Sequence, residues 1–476
     1  MRRIKIIGIA LFISNLCLAQ LSVDEIVANR IQERNIPGFA YIVSKNGDIL
    51  EEGYFGLSNV ELNTPVTEKS VFAIASMSKA YTAAAILLLA EEKKLDLKDS
   101  VRKYIPEVPE SWNDITIKQL LTHSSGLVDD WGLYSWDKSN QLFLNSQSDS
   151  LILNHLFETE LLFEPGTDVK YSCGPFVLGV VIERITGQYY EEYLKKSIFE
   201  SLNLKETYVD HPYKIIPNRV SGYFNYDTTE INAGVSGRGN GILMAPVAYG
   251  RADVGIRTTA RDLLKFYNAL LTGQLLNENS RNVMFTSPTL NNGDHVCTAP
   301  GWMIWPMAGN LVAEHSGGFR TGFNSHVFMI PKDNFIIIIL TNFQKALSFS
   351  LTQRIAGNFY PELSPHSTRS FAKDNKPKVT AQHLDFFQNI ESDTLNKTLL
   401  NANYPKSYLS KTLKKSIASV KSIAFIEESD LSSKNVELFG VRIHKIRYYK
   451  LITSKEIYTV VSLDKDGKIV FIDHPE

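Results

Sequence analysis

Ser76 and Lys79 stand three residues apart at the head of the stretch FAIASMSKAYTAAAILLLAEE, residues 72–92, which carries no charge from Ala80 to Ala90. Alanines and leucines in such a run predict a helix buried on all sides. Positions i and i+3 share a helix face, so the Lys79 amine is expected beside the Ser76 hydroxyl. Burial and the positive end of the helix dipole both oppose a cation there, which is expected to lower the Lys79 pKa. A neutral amine within hydrogen-bond reach of a serine is a general base for a nucleophile. The spacing alone is a weak signal. Ser-x-x-Lys also occurs at Ser100, Ser135, Ser370 and Ser462, and only the copy at Ser76 heads an uncharged helix. A serine N-cap followed by a solvated lysine gives the same pattern.

Two further segments could complete a site. In FEPGTDVKYSCGPFVLG, residues 163–179, Tyr171 follows a proline-glycine turn and precedes an apolar helix. A tyrosine held near a lysine can relay protons; alone, packing is the simpler reading of it. In EHSGGFRTGFNSHVFMIP, residues 314–331, His315, Ser316, Gly317 and Gly318 lie near the end of a strand. Small residues there let a substrate backbone approach, and a Gly318 N–H paired with that of Ser76 would bind a developing oxyanion. A plain glycine-rich turn between strands is the simpler alternative.

The elements that must position these residues are legible as patterns. A short helix is expected at Val23–Arg34, then a hairpin through GFAYIVSKNGDILEEGYFG turning at Asn46-Gly47. Residues 94–280 read mostly as helices and loops. Strands return as GWMIW, LVAEHSG, FNSHVFMIP and FIIIILTN, with turns at 308–310 and 331–334, and a helix near Leu347–Phe359 closes the unit. One antiparallel sheet built from both ends of the chain, with an all-helical lobe beside it, is the simplest assembly, an α+β fold. Residues 363–379 are polar and proline-bearing and read as a linker. Residues 380–476 read as a small α+β domain with a helix around Ala381–Asn389 and alternating strands through VRIHKIRYYKLI and EIYTVVSLDKDGKIVFID, the latter turning at Asp466-Gly467. The helix-then-strands order is faintly similar to the nuclear-transport-factor-2-like fold, by analogy only.

A chain of 476 residues with net charge −1 has no basic field to attract nucleic acid. Arg2, Arg3 and Lys5 followed by the apolar run Ile6–Leu18 form a secretory signal peptide pattern over residues 1–19, so the expected location is periplasmic or secreted. A lipid anchor at Cys17 fits poorly, and no later apolar run is long enough to span a bilayer. Cys173 and Cys297 make no disulfide framework, although a single bridge stays open. No His/Cys cluster has zinc spacing, and neither a metal nor a cofactor is expected. Oligomeric state is not readable.

Together the three motifs, in this order, resemble the serine β-lactamase and penicillin-binding protein superfamily, and most of all its class C β-lactamase, esterase and D-aminopeptidase branch. The resemblance covers roughly residues 22–360, through GYFGLSNVELNTPVTEKSVFAIASMSK, LLTHSSGL, FEPGTDVKYS, GIRTTARDLLKF and HSGGFRTGF. It implies an antiparallel sheet flanked by helices with a helical lobe, and residue roles with it. Ser76 would be the acylated nucleophile, with Lys79 and Tyr171 sharing proton transfer. His315, Ser316, Gly317, Gly318 and Cys173 would contact substrate or the oxyanion. His315 stands where many relatives carry lysine, and a neutral histidine is a weaker handle for a carboxylate. Cys173 replaces the usual asparagine of Tyr-x-Asn, and a thiol neither donates nor accepts as an amide does. Both departures point away from a dedicated β-lactamase.

The expected function is therefore an exported serine hydrolase acting through an acyl-enzyme on small esters or short D-amino-acid-containing peptides. A β-lactamase or D-Ala-D-Ala carboxypeptidase of the same fold is the first rival, and a non-catalytic binding protein is the rival from another class. His123 in LLTHSSGL reads as structural, Gly255 as a tight turn before a helix, and Tyr223 and Trp302 as either pocket or core. His444, Arg447 and Tyr448 read as ordinary strand faces.

Overall fold

The computed structural model describes residues 21–129, 149–211, 214–226, 241–244, 252–307, 309–319, 322–344, 346, 349–364, 371–390, 396–404, 420–432, 437–438, 441–453 and 456–472. The signal segment, Ala308 and part of the expected linker lie outside the described residues.

Helix α1, Val23–Arg34, opens on a capping box in which the Ser22 hydroxyl accepts from the Glu25 N–H, and ends at Asn35 in the left-handed region. The Tyr41 hydroxyl donates to Asp24 at 2.7 Å and ties α1 to the first strand. Strands β1, Gly38–Lys45, and β2, Asp48–Asn59, form the expected hairpin. Asn46 and Gly47 between them both have positive φ, 54° and 86°, the backbone a tight two-residue turn demands. Short strands β3, Thr64–Pro65, and β4, Phe72–Ala73, follow, and then α2, Lys79–Glu91. Every residue of α2 from Lys79 to Leu89 except Leu88 is buried, as its charge-free sequence requires.

The middle of the chain carries α3 (Ile117–Leu121), α4 (Asp149–Glu158), α5 (Gly174–Thr186), α6 (Tyr190–Leu194), α7 (Ala260–Thr272) and α8 (Glu278–Met284). It also holds short strands that the helical reading of 94–280 passed over: β5 (Tyr208–Val209), β6 (Tyr223–Tyr226), β7 (Gly241–Met244) and β8 (Ile256–Thr258). Strands of two to four residues are too short to show a period. Strand β8 has another consequence: Gly255 precedes a strand, and α7 begins only after it. Strands β9 (Thr298–Ala299), β10 (Trp302–Met307), β11 (Asn310–Phe319), β12 (Phe323–Ile330) and β13 (Phe335–Thr341) and helix α9 (Phe349–Gly357) complete this part.

The main sheet runs β3-β2-β1-β13-β12-β11-β10-β9, antiparallel throughout, so its two ends of chain meet where β1 pairs with β13. Strand β13, FIIIILT, is buried on both faces, which explains its unbroken apolar run. One face carries Ile42, Ala313, Val327, Met329, Ile336 and Ile338 toward α2, α5 and α7. The opposite face carries Val43, Val312, Phe328, Ile330, Ile337 and Ile339 toward α1 and α9. This is the α+β architecture that the sequence predicts, an antiparallel sheet with helices on both faces, except that short strands interrupt the expected all-helical lobe.

The tail contains α10, Pro377–Gln388, and strands β14 (Ser422–Asp430), β15 (Glu437–Leu438), β16 (Val441–Arg442), β17 (Lys445–Ile452), β18 (Glu456–Leu463) and β19 (Ile469–Ile472). Helix α10 starts four residues before the expected Ala381, because Pro377, which reads as linker, occupies its first turn. A four-stranded sheet runs β14-β17-β18-β19. Alternation divides its faces: Tyr449, Leu451, Val461 and Leu463 pack with Phe386 and Phe387 of α10. Ile446, Tyr448, Val460 and Phe471 join Val312, Phe328, Leu351 and Ile355 of the main body in one apolar layer.

Candidate active site

The Ser76 turn is built before it is used. Ala75–Ser78 form one 3₁₀ turn ahead of α2, and Ala75 has φ +46°, a strained conformation for a residue with a side chain. Backbone and hydroxyl groups clamp it from two sheets. The Ile74 N–H donates to the Ile256 carbonyl at 3.0 Å, and the Ile256 N–H donates to the Ser78 hydroxyl at 2.9 Å. The Ser325 hydroxyl of β12 donates to the Ile74 carbonyl at 2.8 Å. Gly317 of β11 lies so close that a Cβ there would stand 2.0 Å from the Ile74 oxygen. Gly317 is thus a packing requirement of the nucleophile turn.

Lys79 Nζ donates to Ser76 Oγ at 3.3 Å and to the Asp253 carbonyl at 3.0 Å, and lies 4.9 Å from the centre of the Tyr171 ring. The expected i, i+3 contact is present. The expected lowering of the Lys79 pKa is not. Burial is the largest single influence and opposes the charge, but Tyr171, Asp253 and Asp129 together outweigh it and hold the lysine above its ordinary value. In the free protein Lys79 is an ammonium, so the neutral-amine reading is corrected by acidic groups that only the fold brings near.

Tyr171 is positioned by the second motif. The Ser172 N–H donates to His123 Nδ1 at 3.1 Å, and the Lys170 N–H donates to the His123 carbonyl at 2.9 Å. His123 stacks on Tyr171 with ring centres 4.6 Å apart and planes 26° apart. Burial first, then the charge of Lys79, holds His123 down to about 3, so it is neutral, with Nδ1 as acceptor. His123 is therefore more than a remote structural residue: it forms the wall behind Tyr171. Its motif was visible in sequence; its stacking partner, 48 positions away, was not.

On the other side, Ser76, Tyr171, Met303, Glu314, His315, Ser316 and Gly318 line one cavity of about 320 Å³. Pairing with β10 ends at Glu314, facing Met303, while β11 continues to Phe319 along β12. Among the described residues the stretch from His315 onward is thus unpaired on its β10 side. His315 is held down to about 3 by burial, then by Lys79. A Cβ on Gly318 would meet only Asn324 Nδ2 at 3.4 Å, so this glycine leaves room to the cavity. The Glu314 side chain meets His326 Nε2 at 3.1 Å, a buried pair that the sequence pattern does not single out.

Cys173 lies apart from this group. Its thiol donates to the Val128 carbonyl at 3.1 Å at the start of α5, and it is not among the residues lining the cavity. Cys173 and Cys297 are both buried and carry no disulfide, so the bridge left open is not formed. Tyr223 and Trp302 belong to the core: the Tyr223 hydroxyl meets Glu61 and the Val60 N–H, and Trp302 stacks on Phe285.

A serine on a strained turn, with a lysine, a tyrosine and an open strand edge beside one cavity, is the arrangement that acyl-transfer chemistry requires. The family comparison agrees: the family model described as Beta-lactamase matches residues 23–356, and the chain belongs to that family. Penicillin-binding protein 4* of Bacillus subtilis (strain 168) is 29% identical over 312 residues, covering 63% of this chain and 67% of that protein. The chain spans about two thirds of the length of the curated relatives it matches. In fold it is similar to the octameric penicillin-binding protein homologue from Pyrococcus abyssi, with TM-score 0.61 at 20% identity over 95% of this chain and 88% of that one. It is also similar to D-amino acid amidase from Ochrobactrum anthropi SV3, with TM-score 0.60 at 21% identity over 72% of this chain and 99% of that one.

Proposed function

We propose that this chain is an exported serine hydrolase that works through an acyl-enzyme on small esters or short D-amino-acid-containing peptides. The observation that carries the reading is the 3.3 Å contact from Lys79 Nζ to Ser76 Oγ beside the cavity that Tyr171 and His315–Gly318 also line. Ser76 Oγ bonds to the substrate carbonyl carbon, and its proton passes to the Lys79–Tyr171 pair. Because Lys79 rests as an ammonium, the reactive form is the pair lacking one proton, with Tyr171 oxygen the acceptor beside the retained cation. The N–H groups of Ser76 and Gly318 receive the oxyanion. The pair returns the proton to the leaving alcohol or amine, and water then releases the acyl group by the same relay. A cavity of about 320 Å³ lies at the small end of ligand pockets, which favours small acyl groups. The amidase and penicillin-binding relatives support the substrate class, and the charged-then-apolar N-terminus supports export.

The test is covalent. A fluorophosphonate probe labels wild type and not Ser76→Ala; a folded wild type that stays unlabelled would remove the enzymatic reading. Turnover of p-nitrophenyl acetate, a D-alanine p-nitroanilide and a chromogenic cephalosporin then ranks the substrate classes, and fast cephalosporin turnover would favour the β-lactamase alternative.

A further inference from the structure

Arg257 is one of the largest fully buried side chains of the protein, and it stands in the middle of β8. Its Nε donates to the Asp210 carboxylate, and its Nη1 donates to the Val220 carbonyl at 3.3 Å. Asp210 is buried as well, and its other oxygen accepts from Arg219 Nη2 at 2.6 Å. The backbone repeats the tie, because the Asp210 N–H donates to the Gly255 carbonyl at 2.7 Å. A planar guanidinium held at two of its nitrogens has one orientation. The relay of Ser76, Lys79 and Tyr171 uses none of these groups, and Arg257 is not among the residues lining the cavity.

Arg257 nevertheless meets both halves of the site. Its backbone pairs with Ala73 of β4, and the residues that follow Ala73 lead directly into the turn that carries Ser76. Its guanidinium lies over the Phe323 ring, 5.0 Å from the centre. Phe323 pairs with Phe319 at the open end of the β11–β12 hairpin, next to Gly318. The ladder between β12 and β13 starts only at Asn324, so it does not hold Phe323. Farther along the hairpin, Gly317 and the Ser325 hydroxyl fix β11 and β12 against the Ile74 carbonyl. That is one attachment between hairpin and nucleophile turn, and Arg257 supplies a second. Two attachments fix the tilt of the hairpin end, where one would leave a pivot.

We propose that Arg257, held by Asp210, is a positioning residue for acyl transfer. It sets the Gly318 N–H relative to the Ser76 N–H by carrying the nucleophile turn on its backbone and the hairpin end on its guanidinium. The proposal rests on the reading of Ser76 as the acylated nucleophile with those two donors. Placement is a steep lever, because an oxyanion donor acts only at hydrogen-bond distance, about 2.7–3.1 Å, from where the charge develops.

The test compares p-nitrophenyl acetate with its thionoester analogue. The developing thiolate of the analogue is a weaker acceptor than an alkoxide and draws less on the two donors. In Arg257→Met the buried Asp210 keeps Arg219, and Phe323 keeps an apolar neighbour, so the variant is expected to fold. Its kcat/KM for the ester should fall about 10–100-fold, less than the ~10² to 10³ of losing an oxyanion donor outright. The ester-to-thionoester ratio should fall at least about threefold, the size of a weakened hydrogen bond. A mere loss of folded enzyme lowers both rates equally and leaves that ratio where it was. Phe323→Leu removes the ring, should lower the same ratio, and carries the test where Arg257→Met does not fold. The double variant should be no slower than the slower single one, since both changes break one contact. An unchanged ratio in the folded variants, or losses that add, would overturn the proposal. A wild type that neither takes a fluorophosphonate nor turns over the ester would instead remove the Ser76 reading itself, and so the two failures are told apart.

Discussion

Lys79 and Arg447 are both buried cations, and the protein uses them in opposite ways. Arg447 sits between the Phe425 and Tyr449 rings, 4.6 and 5.5 Å from their centres, and pairs with Asp374 at 2.8 Å and Glu428 at 3.3 Å. Two carboxylates and two rings surround it. It fastens the segment before α10 to the tail sheet, far from an ordinary strand-face arginine. Lys79 has no carboxylate in hydrogen-bond contact among the described residues. Its partners are the Ser76 hydroxyl, the Tyr171 side chain and a carbonyl, and the carboxylates that favour its charge act from a distance. A buried charge in direct contact with carboxylates stabilises structure. One held by neutral dipoles beside an open cavity keeps its proton within reach of chemistry.

The largest expected effect breaks the comparison on the Lys79 side. Lys79→Ala should slow fluorophosphonate labelling by ~10² to 10⁴, the usual range for a positioned acid–base group, while the protein stays folded. Lys79→Arg should not restore it, because a guanidinium does not exchange its proton. Labelling within tenfold of wild type would end the claim that the two cations differ in kind.

Arg447→Met should cost about 1.5–3 kcal/mol in urea unfolding, since it removes the charged hydrogen bond to Asp374 and the ion pair with Glu428, whose carboxylates stay within reach of water. The rate of Ser76 labelling in the folded variant should stay unchanged. A drop there would mean that the tail sheet reaches the cleft through the apolar layer it shares with Val312 and Phe328.

A pH series sharpens the contrast, because both regions bury neutral histidines. His123 and His315 are held down to about 3, and His383, beside Arg447, to about 4, in each case first by burial. Above the ordinary histidine value near 6.5 these rings are neutral folded and unfolded, so they cost nothing. Below it only the unfolded chain takes up their protons, and stability falls as pH drops through the window from 6.5 toward 4 and 3. Between pH 7 and pH 5 the loss is about 2 kcal/mol per histidine. Thermal melts should show a shallower slope for His123→Phe and, independently, for His383→Phe. A slope equal to wild type in both would mean that these rings titrate normally.

The smallest effect separates neighbouring glycines. Gly318→Ala meets no close protein atom and should change stability by less than about 0.5 kcal/mol, while slowing bulky probes by less than about tenfold. Gly317→Ala would press on the Ile74 carbonyl and should impair both stability and labelling. Equal behaviour of the two variants would place the nucleophile turn elsewhere than against β11.

Much of this was legible in sequence because it is local. The Asn46-Gly47 turn, the Ser22–Glu25 capping box and the charge-free run of α2 each write a short-range rule into adjacent residues. Ser76 and Lys79 were found for the same reason, three positions apart on one helix. Strands β4, β5 and β8 were missed because two or three residues carry no period, although they grip the nucleophile turn. The acidic field on Lys79 is not legible because Asp253 is 174 residues from it, far beyond the reach of any local pattern.

The sequence by itself determined the α+β sheet with its helices, the order of the motifs and the pairing of Ser76 with Lys79. Only the tertiary structure decided their surroundings: that acidic groups raise the Lys79 pKa, that His123 backs Tyr171, that burial holds His315 down to about 3 and that Cys173 turns to Val128. Local rules act over one turn of helix or one hairpin, whereas protonation, tautomer and orientation are set by burial and by charges that chain folding brings from far along the sequence.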